Sequence, residues 1–151
     1  MAVLRILGTA VIELLLITSC TVTSMNEEKG KANVWPNGTM YEIFVQSYAD
    51  SNGDGIGDFN GLTSKLDYIQ SLGIQGLWLM PFHPSPSYHK YDVTNYYGIH
   101  PNYGTMEDFK HFLEEAHKRN IKVVMDLVVN HTSWEHPWFV SARKSKSSPY
   151  R

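Results

Sequence analysis

Cysteine is all but missing from these 151 residues: Cys20 stands alone. That excludes a disulfide framework and any zinc site built on several thiolates. Excess charge is missing as well. Thirteen Lys and Arg against fifteen Asp and Glu leave a net charge of −2, so nothing marks nucleic acid as a partner. The basic residues Arg143, Lys144, Lys146 and Arg151 gather near the carboxyl end, as a solvated face does. The longest apolar run, residues 6–17, is too short for a comfortable membrane-spanning helix. No internal repeat beyond an alternation of strand-like and helix-like segments is present, and no low-complexity tract. What remains, 42% hydrophobic and 13% aromatic, is the composition of a globular chain with a sizeable core.

The first twenty residues differ in kind from the rest. Arg5, the apolar run and Thr18-Ser19-Cys20 read as a secretory signal, although Glu13 interrupts the run. Ile17-Thr18-Ser19-Cys20 also resembles the bacterial lipobox, which implies a signal peptide over residues 1–20 and lipidation of Cys20. Export to the cell envelope or the medium is therefore expected, with membrane contact only through that anchor. Residues 21–34 carry Glu27, Glu28, Lys29 and Lys31 and suit a flexible tether.

From Trp35 onward the pattern predicts strand, helix, strand, helix, strand. Residues 40–48 are aromatic and β-branched, a strand. Leu62, Leu66, Ile69 and Leu72 recur at helical spacing within one helix over residues 61–72, and Gly73 is placed to end it. Residues 74–80 form the second strand, stopped by Pro81. A long loop, residues 81–104, holds four prolines and many tyrosines. Thr105 caps the next helix, Glu107 and Asp108 suit its first turn, and Asn120 ends it. Met106, Phe109, Phe112, Leu113 and Ala116 form its buried stripe. Residues 121–131 begin as a β-branched run of the kind buried on both faces, then turn polar at Asp126, Asn130 and His131. Polar groups at the carboxyl end of such a strand lie where active sites of parallel α/β folds assemble. The order predicts an α/β fold, a parallel sheet with helices outside. Three strands do not close a barrel, so the chain is expected to open a longer protein and to be poorly soluble alone.

Between the first strand and helix, oxygen-bearing residues recur at every second position: Asp50, Asn52, Asp54, the carbonyl of Ile56, and Asp58. This is the ligand order of an EF-hand loop, with Gly55 at the sharp turn, though Gly61 stands where a bidentate glutamate would close it. A calcium ion is the expected ligand. The competing reading is a polar turn in which Asp58 or Asn60 caps the helix.

Together these residues resemble the α-amylase family, glycoside hydrolase family thirteen, over residues 35–151. Asp126-Leu127-Val128-Val129-Asn130-His131 is similar to its first signature region. Residues 50–58 are similar to the metal loop of its oligo-1,6-glucosidase and α-glucosidase branch. Tyr91-Asp92-Val93-Thr94-Asn95-Tyr96, with Tyr103-Gly104-Thr105 behind it, is similar to the segment after its second strand. A lipobox ahead of these motifs is similar to the lipoprotein α-amylases of bacteria. The resemblance implies a partial (β/α)8 TIM barrel over residues 35–133, and over 134–151 the start of a domain inserted after the third strand. It implies that His131 bonds a sugar hydroxyl, that Tyr91 stacks on the sugar, and that Asp92 binds a terminal glucose. Asp126 would orient the site, and Asn130 matches a position that in many α-amylases binds a separate calcium. His89-Lys90 departs from the family, where a small residue or glycine commonly precedes the tyrosine.

Read without the resemblance, Tyr88, Tyr91, Tyr96 and Tyr97 suit either a sugar-stacking platform or ordinary loop packing. His83, His89 and His100 show no zinc spacing. A retaining glycosidase needs a nucleophilic carboxylate and a second carboxyl as acid and base. In the family these follow later strands, so no residue of this chain is expected to fill either role and the piece alone is expected to be inactive. The implied activity is hydrolysis of α-glucosidic bonds in starch-type glucans or malto-oligosaccharides by a full-length, monomeric protein. Two alternatives are a non-catalytic barrel kept for carbohydrate binding or a membrane partner, and a self-contained metal-stabilised binding module.

Overall fold

The structure, a computed structural model, describes residues 38–151. The expected signal peptide, the tether and Cys20 lie outside the described residues. Three short strands, β1 (Met40–Ile43), β2 (Gly76–Leu79) and β3 (Lys122–Met125), pair in parallel in the order β1-β2-β3. Their register is level: Ile43 faces Leu79, and Leu79 faces Met125. The three strands therefore end side by side, and whatever follows each of them emerges at one edge of the sheet.

Helices α1 (Phe59–Ser64), α2 (Leu66–Ser71) and α3 (Met106–Lys118) supply most of the apolar cover, and α4 (Pro137–Lys144) follows β3. Ile43, Leu77 and Leu79 of the strands pack with Leu62, Leu66, Ile69, Phe112 and Ala116 of the helices in one core. Phe59 is at its centre, fully buried, with its ring 5.1 Å from Phe109, 5.4 Å from Phe82 and 5.7 Å from Phe112. The opposite face of the sheet is open. Glu42, Trp78 and Val124 share it by register, and Trp78 is 43% exposed. The expectation that β3 is buried on both faces is thus corrected: among the described residues, helices cover one face only.

Two further expectations change. The first strand stops at Ile43, and Val45–Ser47 winds into a 3-10 turn. The acidic loop folds back on this segment, with the N–H of Gly57 donating to the Gln46 carbonyl at 2.8 Å and that of Asp58 to the Ala49 carbonyl at 3.0 Å. A β-carbon on Gly57 would meet the Val45 carbonyl oxygen at 2.0 Å, so only glycine permits the approach. The single helix expected over 61–72 is two helices broken at Lys65. The Thr63 hydroxyl donates to the Phe59 carbonyl and the Ser64 hydroxyl to the Gly61 carbonyl, both at 2.6 Å, competing with the helical ladder. Lys65 accordingly bonds back to the Leu62 carbonyl, a tighter turn.

The termini of α3 follow the sequence closely. Thr105 accepts from the Asp108 N–H, and the Asp108 carboxylate accepts from the Thr105 N–H at 2.7 Å, a complete capping box. Asn60 donates to the same carboxylate at 3.0 Å, tying α1 to the start of α3. Asn120 ends the helix at φ +57, and Gly73 ends α2 at φ +75. At the far end Arg119 pairs with Asp67 and with Glu115, each at 2.7 Å, and Lys118 and Arg119 together hold the Glu115 carboxyl down to about 2.

Because Phe59 fills the centre of the ring cluster, Phe59→Ala should cost about 3–5 kcal/mol in urea unfolding, whereas Tyr68→Ala, on an exposed side chain, should cost under about 0.5 kcal/mol. Thr105→Ala, which breaks the capping box, should cost about 1 kcal/mol.

Candidate functional site

The register of the sheet brings the loop after β2 against the segment after β3. Asp126 is the first residue beyond β3, and its N–H donates to the Leu79 carbonyl at 2.8 Å, so its position is fixed by the ladder itself. The phenol of Tyr91 reaches across from the loop and donates to Asp126 Oδ2 at 2.5 Å. The Tyr91 carbonyl lies 3.1 Å from Nε2 of His131. A carbonyl only accepts, so this ring nitrogen carries the hydrogen, and Nδ1 is left as an acceptor facing the Asn130 amide at 3.5 Å. The Ser133 N–H donates to the Val93 carbonyl at 2.8 Å, a third tie between the two segments.

Tyr91, Asp126, His131 and Asn130 are thus gathered at one edge of the sheet. Asp92 is their neighbour in the chain, and its side chain is held from its own loop. The hydroxyl of Ser85 donates to Asp92 Oδ1 at 2.6 Å, and the hydroxyl of Ser87 donates to the same oxygen. Burial raises the Asp92 carboxyl, but the Ser85 and Ser87 hydroxyls, its own backbone N–H and the nearby His89 together leave it below its ordinary value. Ser85 and Ser87 are site residues that sequence reasoning missed; two serines in a proline-rich loop carry no signal of a shared acceptor. Tyr96 is another. Its hydroxyl reaches the carbonyls of Val128 and His131, at 2.7 and 2.9 Å, and so clamps the segment that carries the histidine.

The tyrosines of the loop do not form one platform. Tyr88 packs edge-on against Phe44, Tyr96 stacks on Trp138 at 6.1 Å, and Tyr97 is exposed. The loop histidines serve local structure: His83 meets the Gly98 carbonyl, His89 accepts from the Tyr91 N–H, and His100 accepts from the Asn102 N–H. A groove of about 550 Å³ beside His131 is lined by Tyr96, Tyr97, Val129, Asn130 and Trp138.

The acidic loop is a separate cluster. Asp50 accepts three backbone N–H groups, from Asn52, Gly53 and Gly55, at 2.7–2.9 Å. Gly53 and Gly55 sit at φ +82 and +84, where a side chain would strain the winding. The Gly55 and Gly53 N–H groups, in that order, hold the Asp50 carboxyl below its ordinary value. Asn52 accepts from the Asp54 N–H, and Asp54 from that of Ile56. Asp58 caps α1 through the Gly61 N–H at 2.7 Å, and its other oxygen takes the Ser51 N–H and hydroxyl. Asn60, the other candidate cap, bonds Asp108 instead. Among the described residues no three His, Cys, Asp or Glu side chains are drawn together to hold a metal. The remaining donors of the loop are of another kind, the Asn52 amide and the Ile56 carbonyl. All five are oxygens, the chemistry that suits a hard cation.

The Tyr91–Asp126 bond has a measurable signature. It pushes the Tyr91 phenol up to about 12, chiefly through the hydrogen bond and then through burial. A pKa raised on folding means that the bond contributes fully below pH 10 and is lost between about 10 and 12. Tyr91→Phe should therefore lower stability by about 1–2 kcal/mol at neutral pH and flatten the stability loss across that alkaline window, read by urea unfolding at stepped pH.

The alpha-amylase family profile, described as the alpha amylase catalytic domain, matches residues 42–151. Alpha-amylase 3 of Dictyoglomus thermophilum is 58% identical over 131 residues, 86% of this chain and 26% of that protein. An oligo-1,6-glucosidase of Parageobacillus thermoglucosidasius is 54% identical over 118 residues, 78% of this chain and 21% of that one. Among solved structures, an alpha-amylase from H. orenii superposes with a TM-score of 0.73 at 57% identity, covering 76% of this chain and 25% of that one. Trehalose-6-phosphate hydrolase of Bacillus licheniformis superposes with a TM-score of 0.75 at 50% identity, over 78% and 21%. The chain spans about a quarter or less of the length of these relatives. Its parallel strands and outer helices form part of a TIM barrel, and the chain belongs to the alpha-amylase family of glycoside hydrolases.

Proposed function

We propose that the full-length protein hydrolyses α-glucosidic bonds in starch-type glucans or malto-oligosaccharides by a retaining mechanism. These residues form part of its sugar-binding wall. The observation that carries the reading is the joining of Tyr91, Asp126 and His131 across two strand ends. In that arrangement Tyr91 presents a ring to the apolar face of a glucose unit while its hydroxyl is fixed by Asp126. His131 presents an N–H that a sugar hydroxyl must share with the Tyr91 carbonyl, and Asp92, ionised at neutral pH, accepts from sugar hydroxyls. Such contacts accelerate the reaction to the extent that they tighten in the transition state. The nucleophile and the acid/base are assigned to residues beyond those described; Asp126 has no such role here, because its carboxylate is engaged as the anchor of Tyr91. The relatives support the reaction class, since those compared are an alpha-amylase, an oligo-1,6-glucosidase and a trehalose-6-phosphate hydrolase.

The same proposal assigns a calcium ion to the acidic loop. Asp50, Asn52, Asp54, the Ile56 carbonyl and Asp58 would hold it, and bound there it would pin the loop to α1. Export through residues 1–20 and lipidation of Cys20 complete the reading, with a monomer acting outside the cytoplasm.

His131→Ala and Asp92→Asn in the full-length protein should each lower kcat/KM on a malto-oligosaccharide by about a hundredfold, a loss of about 2.7 kcal/mol of transition-state binding. Wild-type activity in both variants would contradict the sugar-binding roles, and sugar binding by a full-length protein without hydrolysis would favour the non-catalytic barrel. Chelation should lower the melting temperature by several degrees, with calcium restoring it; an unchanged melting curve would remove the ion from the account.

A further inference from the structure

Lys90 is the only buried lysine among the described residues, 5% exposed, and it stands between His89 and Tyr91 at φ +64. That is the left-handed region, unfavourable for a residue with a β-carbon. A lysine on a polar loop would ordinarily extend into water. Here the side chain turns inward. Its ammonium donates to the Ser87 carbonyl at 2.8 Å and lies 5.9 Å from the centre of the buried Tyr103 ring. The charge is faced by Asp92, which favours it, and by His100, whose protonated form it disfavours. Among the described residues no carboxylate comes within ion-pair reach, so the ammonium is not there to close a surface salt bridge. Its one direct polar contact is the backbone of a residue whose hydroxyl holds Asp92.

We propose that Lys90 is a positioning residue for Asp92. Anchored on the Ser87 carbonyl and resting on Tyr103, the ammonium fixes the turn that aims the Ser85 and Ser87 hydroxyls at one carboxylate oxygen, leaving the other oxygen oriented for a sugar. The lysine does this through the backbone and touches no substrate. At that φ the Lys90 stem turns inward while Tyr91, the next residue, reaches Asp126. The proposal rests on the sugar-binding reading of Asp92 for its consequence in catalysis, but not for its structural content.

The test is a double-mutant cycle in the full-length protein, with Lys90→Gly, Asp92→Asn and both together, measured as kcat/KM on a malto-oligosaccharide. Glycine adopts φ +64 without strain, so this variant keeps the backbone; Lys90→Met, which keeps the apolar stem, serves if the glycine variant fails to fold. Lys90→Gly is expected to lower kcat/KM at least tenfold and to cost nothing further once Asp92 is replaced by Asn. Losses that multiply, or no loss from Lys90→Gly, would overturn the proposal. A second readout separates it from the functional reading: the carboxyl carbon resonance of Asp92, followed against pH, should titrate at higher pH in Lys90→Gly. If Asp92→Asn retains wild-type activity, the sugar-binding reading falls and this titration alone decides, an unchanged Asp92 curve overturning the role of Lys90.

Discussion

One hydrogen bond organises the functional edge of this chain, the one from the Tyr91 phenol to Asp126. Asp126 is locked to β2 by a ladder bond, so it offers a fixed acceptor. The loop after β2 is long and rich in proline, and on its own it would sample many paths. Pinning its middle to the tip of β3 selects one path. Once Tyr91 is fixed, its carbonyl orients the His131 ring, and Tyr96 clamps the backbone of the same segment. A charged acceptor makes such a bond about twice as strong as a neutral one, which suits a tie that must order a loop.

The rest of the fold serves that edge by keeping the strand tips level. The core of Phe59, Phe82, Phe112 and the strand residues Ile43, Leu77 and Leu79 holds the helices against one face of the sheet. The acidic loop sits at the start of α1, and its bonds to Gln46 and Ala49 fix the segment that leaves β1. A cation bound there would act on the scaffold and not on the sugar. Removing it should loosen the loop before it disturbs Tyr91, because no hydrogen bond among the described residues joins the two clusters.

Much of this was legible in the sequence for identifiable reasons. Thr105 and Asp108 form a cap that depends on four adjacent residues, and Asn120 and Gly73 stop helices through their own backbone freedom. Local chemistry of that kind survives translation from sequence to structure. The break at Lys65 did not show, because apolar periodicity continues through it while Thr63 and Ser64 divert the ladder. The short first strand did not show either, since its end is set by the approach of Gly57 from a distant loop. At the site, Tyr91, Asp92, Asp126 and His131 were picked out as a family resemblance. Their mutual contacts could not be read, because the pairs Tyr91–Asp126 and Tyr91–His131 lie 35 and 40 residues apart. Ser85, Ser87 and the inward turn of Lys90 left no trace at all in composition or spacing.

The family and the gathered side chains support the proposal that this edge is a wall gripping one glucose unit of an α-glucan. The most direct test is a crystal structure of the full-length protein with a malto-oligosaccharide bound. The account predicts one glucose ring lying on Tyr91, with hydroxyls in hydrogen-bond reach of His131 and of the free oxygen of Asp92, and the Tyr91–Asp126 bond intact. A saccharide seated in a catalytic cleft that leaves Tyr91, Asp92 and His131 all untouched would contradict it.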